Sequence, residues 1–396
     1  MGWQGHRAYF KYYCEFLIFY LTFNDLPSGI FSSQVIDVVK FLQNNFDQKI
    51  KLVSFISLRG FLKNRRTIKN ELSDAIVLPM FPRLSNWRLN QHTLRILCFL
   101  FQPKKIIARS VLATHLAFLT KNKETKVVYD GRGAIAAEWK EYGVVKDDIL
   151  LNEIVELERQ AISKSDFRIA VSNQLLKYWQ TEYKYEGQNH VVIPCTLNPV
   201  FEQQNITDEI ILNARKNLGY EKDDIVFVYS GSLAGWQSFD LLYQFIQPIL
   251  KKSSKNKLLF LSGKDKNIDR IKTEFSSQVN NFSVSVNEVP KVLVAADYGL
   301  MIRQQSITNR VASPVKFAEY LACGLEVVLS EQLGDYSRFV EENNCGLIYS
   351  KIGELTVKSL EDRIRIRGTA IFNYSKSAYV SNYSILFKSI VNSIHD

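Results

Sequence analysis

Short apolar runs of strand length alternate with segments of helical periodicity along nearly the whole chain. That alternation admits few folds: parallel strands joined by crossover helices, with helices on both faces of each sheet. In the first half, runs at 16–23, 50–56, 126–129 and 167–171 read as strands. Between them, 33–45 reads as a helix with Val35, Ile36, Val39 and Leu42 on one face, 95–119 as a helix broken at Pro103, and 152–163 as another. Ser172 has the hydroxyl of an N-cap for a helix over 173–182. The segment VVIPCTLNPVF, with two prolines, reads as a linker. Beyond it the alternation resumes, with strands expected at 225–229, 258–261, 298–302 and 327–329 and helices at 239–250, 268–278, 314–322 and 337–343. A last stretch, 376–394, repeats Tyr379, Tyr383, Leu386, Ile390 and Ile394 at helical spacing and predicts an amphipathic terminal helix.

A chain of 396 residues is too long for one compact core and points to two domains of about 200 residues each. With 46% hydrophobic residues, 9 Pro and 18 Gly, it is neither disordered nor fibrous in composition. The apolar run at 16–23 falls far short of the ~20 residues of a membrane span. The opening MGWQGHRAYFKYYCEF lacks the apolar core and small-residue cleavage site of a signal peptide, so the chain is expected in the cytoplasm. Cys14, Cys98, Cys195, Cys323 and Cys345 are scattered and never spaced C-x-x-C, which fits reduced, packed thiols and no metal site.

Charge is uneven. Residues 1–199 hold 27 Lys and Arg against 18 Asp and Glu, residues 200–396 hold 23 against 22, and the first 126 residues alone hold 19 against 7. The cluster Arg59, Lys63, Arg65, Arg66 and Lys69 surrounds Phe61 and Leu62, and further clusters lie at Lys104, Lys105 and Arg109 and at Lys121, Lys123 and Lys126. Such a surface attracts an anionic bilayer or nucleic acid; an ordinary solvated basic face is the plain alternative for any one cluster. Three clusters in one half favour a partner, and an anionic membrane is the one expected, with no nucleic acid.

In open parallel sheets ligands bind beyond the carboxyl ends of the strands, so the loops there are where chemistry is sought. Ser230-Gly231-Ser232 follows an apolar run and offers small residues for a phosphate to approach backbone amides; a tight strand-to-helix turn is the other reading. In the stretch from Arg303 to Gly324, Ser313 is a candidate N-cap and Pro314 a candidate first helical residue, with Arg310 just before. Lys316 then falls in the first turn, where a cation opposes the helix dipole unless an anion is bound nearby. Glu319 shares its face and could accept from sugar hydroxyls or pair with Lys316. Asp130-Gly131-Arg132-Gly133 ends a strand with an acid and a base among glycines, either a cleft feature or a structural Asp-Gly turn. The loop from Asp25 through Gly29 to Ser33 is similar in kind.

The run from Ser313 through Lys316 and Glu319 to Val328, with the element Asn344-Cys-Gly-Leu-Ile348, resembles the donor-binding region of GT-B glycosyltransferases, most of all the retaining family 4 of bacterial polysaccharide synthesis. The segments 165–172, 192–194, 229–232 and 296–300 agree with it in order and spacing. The resemblance covers nearly the whole chain and is more specific in its second half. It implies an α/β fold of GT-B architecture, two doubly wound Rossmann-like domains facing a central cleft. The expected division is an acceptor-binding domain at 1–195, a nucleotide-sugar-binding domain at 196–375 and a helix at 376–396 that packs back on the first. The implied activity is transfer of a sugar from a nucleotide diphosphate sugar to a glycan or lipid-linked acceptor, at the inner face of the cell membrane and with no obligatory cofactor or metal. Lys316, Arg303, Asp130 and Arg132 are the catalytic candidates, and Gly231, Ser232, Glu319, Arg310, Ser313 and Gly29 the candidates for holding the donor. Three positions depart from the family pattern: Val311 stands where a second glutamate is usual, Gln237 where a basic residue is, and Glu326 where a proline is. An epimerase of the same architecture or a non-enzymatic basic binding protein are the other classes considered. An epimerase needs an acid/base set, and His6, His92, His115, His190 and His395 form no evident constellation.

Overall fold

In the computed structural model, which describes residues 16–233 and 235–388, the chain forms two all-parallel sheets. The first holds β1 (Leu17–Phe23), β2 (Lys49–Ile56), β3 (Ile76–Pro79), β4 (Lys105–Arg109), β5 (Lys126–Gly131), β6 (Phe167–Ala170) and β7 (His190–Val192) in the order β3-β2-β1-β4-β5-β6-β7. The second holds β8 (Ile225–Ser230), β9 (Asn256–Leu261), β10 (Val279–Phe282), β11 (Tyr298–Met301), β12 (Glu326–Leu329) and β13 (Gly346–Ile348) in the order β10-β9-β8-β11-β12-β13. Both are doubly wound, and each reverses direction next to its first strand. Sites in such sheets form at that reversal, where the loops part.

Each sheet is buried on both faces. Along β1, Phe19, Leu21 and Phe23 enter one core while Ile18 and Tyr20 enter the other, and β8 divides Val226 and Val228 from Phe227 and Tyr229 in the same way. Burial of each such side chain contributes roughly 1.5–3 kcal/mol. Two-sided burial also explains what the sequence reading missed. The stretch 95–119, expected as one broken helix, is a helix Gln91–Phe101, the strand β4 and a helix Val111–Thr120. Every residue of β4 is buried, so no period-2 pattern marks it. β3, β7, β10 and β13 were likewise not expected as strands.

Lys105 lies in that central strand, fully buried, where its ammonium donates to the Leu386 carbonyl and burial pushes its pKa down to about 7. Leu386 belongs to the terminal helix Val380–Lys388, which lays Tyr383 and Leu386 on the core of the first sheet. Ile390 and Ile394 lie outside the described residues. Cys98, Cys195, Cys323 and Cys345 are buried free thiols, and Cys14 lies outside the described residues.

The two domains are joined by reciprocal helix caps. Glu141, from the helix Ile135–Tyr142 of the first domain, accepts from the Ile307 amide at 2.8 Å and the Thr308 amide at 3.0 Å, at the start of the helix Ile307–Val311 of the second. Asp335 of the second domain accepts from the amides of Asn173 at 2.7 Å and Gln174 at 3.2 Å, at the start of the helix Asn173–Glu182 of the first. Amides at a helix start have no partner within the helix, so each domain meets the need of the other. Ser172 caps its own helix as expected, accepting from the Leu175 amide at 2.9 Å, and also donates across the seam to the Val311 carbonyl at 2.7 Å.

Candidate functional site

Facing carboxyl ends of the two sheets enclose a cleft of about 640 Å³. Its second-domain wall is built by the loops after β8 and β11, the strands that flank the reversal. Ser230 ends β8, and Gly231 follows with φ +115°, a conformation that side-chain-bearing residues rarely adopt. Arg303 follows β11 and is buried; its guanidinium donates to Asn309 Oδ1 at 3.3 Å and to Gln237 Oε1 at 3.1 Å, while its Nε is buried with no partner. Lys316 reaches the same Gln237 oxygen at 3.2 Å and lies over the Tyr229 ring at 4.0 Å. Two cations thus converge on one neutral carbonyl oxygen. Burial and then the Arg303 charge push the Lys316 ammonium well below its ordinary pKa, with Glu319 opposing.

Glu319 lines the same wall, one turn along the helix Val315–Ala322. Among the described residues no ion pair within 4.0 Å joins it to Lys316, and its carboxyl accepts no hydrogen bond. Burial pushes it up to about 7, although Lys316 pulls it down. The surface-pair reading of Lys316 and Glu319 is therefore not the arrangement found.

The first-domain wall comes from the loops after β1, β4 and β5. Ser28 caps a short turn of helix at Gly29–Phe31, and a Cβ on Gly29 would lie 3.4 Å from Val286 across the cleft. Arg109 ends β4, and Arg132 follows β5. Beneath both lies Asp130, with no exposed surface; it accepts from the Tyr20 hydroxyl at 2.7 Å and Arg132 Nη2 at 2.9 Å and is 3.8 Å from Arg109. Burial opposes the Arg132 charge, but Asp130 outweighs it and holds the guanidinium pKa well above its ordinary value. Glu138, on the helix Ile135–Tyr142, also faces the cleft, its carboxyl pushed up by burial and by Glu141. That helix is held by Glu158, fully buried, which accepts from the amides of Ile135 at 2.8 Å and Ala136 at 3.2 Å.

Of the residues singled out in the sequence, Gly29, Arg132, Gly231, Ser232, Arg303, Ser313, Lys316 and Glu319 line this one cleft. Asp130 sits under its wall, and Arg310 is exposed at the end of its short helix, away from the cleft lining. Ser313 is not the N-cap expected. The helix starts at Val315 behind Pro314, because the Ser313 hydroxyl is engaged elsewhere, accepting from the Cys195 amide at 2.9 Å and bonded to the Tyr336 hydroxyl at 2.6 Å. The departures are accommodated: Gln237 is the oxygen shared by the two cations, Glu326 pairs with Lys358 at 3.0 Å, and the Val311 carbonyl serves the seam. Sequence reasoning did not single out Glu138 or the cleft role of Arg109. The loop position after a strand is the signal that would have found Arg109, had β4 been recognised.

No protein-family model matches the chain, and no curated protein matches it. Solved structures do match its fold over nearly its full length. A glycosyltransferase from Rickettsia africae is 15% identical, with 96% of this chain and 99% of that one covered and a TM-score of 0.68. Anabaena Alr3699/HepE in complex with UDP is 13% identical over 94% of this chain and 99% of that one, also at 0.68. A proposed UDP-N-acetylglucosamine 2-epimerase from Listeria monocytogenes is 8% identical over 93% and 90%, at 0.53. The fold is the GT-B architecture, two Rossmann-like domains facing a cleft.

Proposed function

We propose that the chain is a glycosyltransferase that moves a sugar from a nucleotide diphosphate sugar to an acceptor hydroxyl. The observation that carries this reading is the second-domain wall. Lys316 and Arg303 meet on a neutral oxygen with no carboxylate among the described residues bonded to either, beside the open backbone of Gly231 and Ser232 and within a turn of Glu319, which has no hydrogen-bond partner among those residues. Unneutralised cations beside an open glycine turn suit a diphosphate, and a free carboxyl one turn away suits a pair of ribose hydroxyls. The matched glycosyltransferase and the UDP complex of the same fold support it.

In this reading the bond between the sugar's anomeric carbon and the diphosphate breaks, and the electron pair leaves with the diphosphate. Lys316 and Arg303 stabilise the charge that develops there, which is the part of the barrier a preorganised cationic wall lowers. The acceptor lies against the first-domain wall; its hydroxyl oxygen forms the new bond on the face the diphosphate leaves while its proton passes to the departing diphosphate oxygen, which retains configuration. Glu138 is in position to accept a hydrogen bond from that acceptor. Val311, in place of a second glutamate, leaves Glu319 as the carboxylate of this wall.

The proposal extends to a glycan or lipid-linked acceptor of bacterial surface polysaccharide synthesis and to peripheral attachment at the inner membrane face. Among the described residues no helix is long and apolar enough to cross a membrane. The helix Phe61–Glu71 exposes Lys63, Arg65, Arg66 and Leu62, the last at 78%, and begins beyond the carboxyl end of β2, at the cleft end of the sheet. Leu26, Ile30 and Leu58 are exposed at the same end. Basic residues beside apolar ones suit an anionic bilayer.

The test is incubation with radiolabelled nucleotide sugars and a membrane lipid extract. A labelled lipid or glycan is expected. An isomerised free nucleotide sugar would instead establish an epimerase, and neither product would leave a binding protein. In parallel, binding to anionic vesicles is expected to fall as salt rises from 0.1 M to 1 M and on charge reversal at Arg59, Lys63, Arg65 and Arg66, with donor hydrolysis intact. Vesicle binding indifferent to lipid charge and salt removes the membrane reading.

A further inference from the structure

Each domain contains an aspartate with no exposed surface, held between two arginines, and the two triads differ in how far they are satisfied. In the second domain Asp297 lies at the amino end of the sheet, far from the cleft, 2.7 Å from both Arg215 and Arg363. Among the described residues those two guanidiniums make eight hydrogen bonds, six of them to backbone carbonyls of the surrounding loops, and only Arg215 Nε is buried without a partner. In the first domain Asp130 lies under Arg109 and Arg132 at the cleft. There, among the described residues, the two guanidiniums make a single hydrogen bond, Arg132 Nη2 to Asp130. Arg109 approaches Asp25 at 3.6 Å and Asp130 at 3.8 Å, beyond hydrogen-bonding distance, and its Nη1, Arg132 Nε and Asp130 Oδ1 are buried without partners. Both arginine side chains are 11% exposed, and both line the cleft.

A planar guanidinium has five donors, and a largely buried one that spends almost none of them on the protein is arranged for a ligand with several acceptor oxygens. We propose that Arg109 and Arg132 form an oxyanion subsite on the first-domain wall, and that the acceptor carries a phosphate or carboxylate group which docks there. The second clause rests on the glycosyltransferase reading. Asp130 is the positioning residue: it holds the Arg132 fork by a hydrogen bond and lies 3.8 Å from that of Arg109, attracting it by charge. Asp25, at the rim, and Glu138, across the helix start, are the acids that face the subsite. Lys316 and Arg303 belong to the opposite wall, so a donor diphosphate there and an acceptor oxyanion here would both have their charges matched.

The experiment measures binding of inorganic phosphate to the full chain by calorimetry with UDP at saturation, so that the second-domain wall is filled. Phosphate is expected to bind in the presence of UDP, and Arg109→Gln or Arg132→Gln to weaken it at least tenfold, with UDP affinity changed less than twofold. Because each single variant unbalances a buried aspartate, Arg132→Gln combined with Asp130→Asn is measured as well, and the same loss is expected in a chain whose melting temperature is kept. Phosphate that competes with UDP, or that binds the arginine variants as tightly as the wild type, overturns the subsite. Failure of UDP to bind while phosphate still binds in an arginine-dependent way removes the glycosyltransferase reading and leaves the subsite standing. Three further arms identify the source: glucose 6-phosphate for a soluble phosphomonoester, glucuronate for a carboxylate, and neutral vesicles doped with a polyprenyl phosphate for a lipid. Arginine-dependent binding of any one supports an anionic acceptor, and binding of none overturns it.

Discussion

Buried charge serves two different ends in the two halves of this molecule. Around Asp297 every oxygen of the carboxylate is bonded, by Arg215, Arg363 and the amides of Val226 and Lys358, and the group ties the start of the second sheet to the helix Leu360–Tyr374. On the cleft walls, Arg303 and Arg109 are buried and Lys316 and Arg132 partly buried, yet most of their donors lack acceptors. A buried ion pair whose carboxylate is fully bonded, with only Arg215 Nε left over, contributes to the fold, whereas a more under-bonded one costs stability and is retained for a ligand. The difference separates structural from functional charge without reference to any relative.

The comparison is most exposed at Asp297. Asp297→Ala leaves two arginines buried without their carboxylate, a change that costs about 3–5 kcal/mol. For a domain of this size that lowers the melting temperature by about 10 °C, measured by calorimetry. Lys316→Ala is the contrasting case. The ammonium is already disfavoured by burial and by Arg303, so its removal is expected to leave the melting temperature unchanged or slightly higher. Turnover should nonetheless fall by roughly 10²–10³-fold, the scale of losing one preorganised donor to a developing charge. A rise in KM with kcat intact would assign Lys316 to ground-state binding, and a drop in melting temperature like that of Asp297→Ala would break the distinction itself.

How much of this was legible in the sequence follows the same divide. The second-domain wall announces itself through local signals: a Gly-Ser turn after an apolar run, a cation in the first turn of a helix, and a carboxylate three residues on. Each needs only neighbouring residues to be noticed. Arg109 needed its strand to be recognised, and β4 is buried on both faces, so its apolar run merged with the helices that flank it. Glu141 and Asp335 could not be found at all, since each caps a helix more than 150 residues away in sequence. The Asp-Gly-Arg turn was noticed, but its geometry was not: Asp130 was grouped with the residues facing the cleft and instead supports the arginines from underneath. Ser313 shows the limit of local propensity, because a good capping residue gave its hydroxyl to the seam.

Glu319 sharpens the comparison from the acidic side, as an under-bonded carboxylate among under-bonded cations. Glu319→Ala removes the proposed acceptor for the ribose hydroxyls. Loss of a hydrogen bond to a charged group costs about 1.5–3 kcal/mol, or one to two orders of magnitude in kcat/KM for the donor. Stability should hold, as for Lys316→Ala. Wild-type kinetics in the folded variant would remove Glu319 from the donor site.

The smallest expected effect is also the one that tests the protonation state directly. Burial raises the Glu319 carboxyl from its ordinary value to about 7 in the unliganded chain, so the folded state holds a proton there that the unfolded chain releases near 4.5. Its contribution to stability is therefore present below about 4.5 and lost as pH rises through 7. Donor binding acts in the opposite sense. Ribose hydroxyls donate to the ionised carboxylate, so binding draws the proton off, and affinity should rise with pH up to about 7 and level above it. Between pH 8 and pH 6 the weakening is at most about tenfold, since one proton is linked. Calorimetric titration of UDP at pH 6, 7 and 8, in buffers of different ionisation enthalpy, reads both the affinity and the proton released. The diphosphate titrates in the same range, and Glu319→Gln isolates its share, because that variant keeps the ligand's own pH dependence and should lose only the remainder. Identical pH profiles for wild type and Glu319→Gln would mean that the Glu319 carboxyl neither gains nor loses a proton on binding, and the proposed linkage would fall.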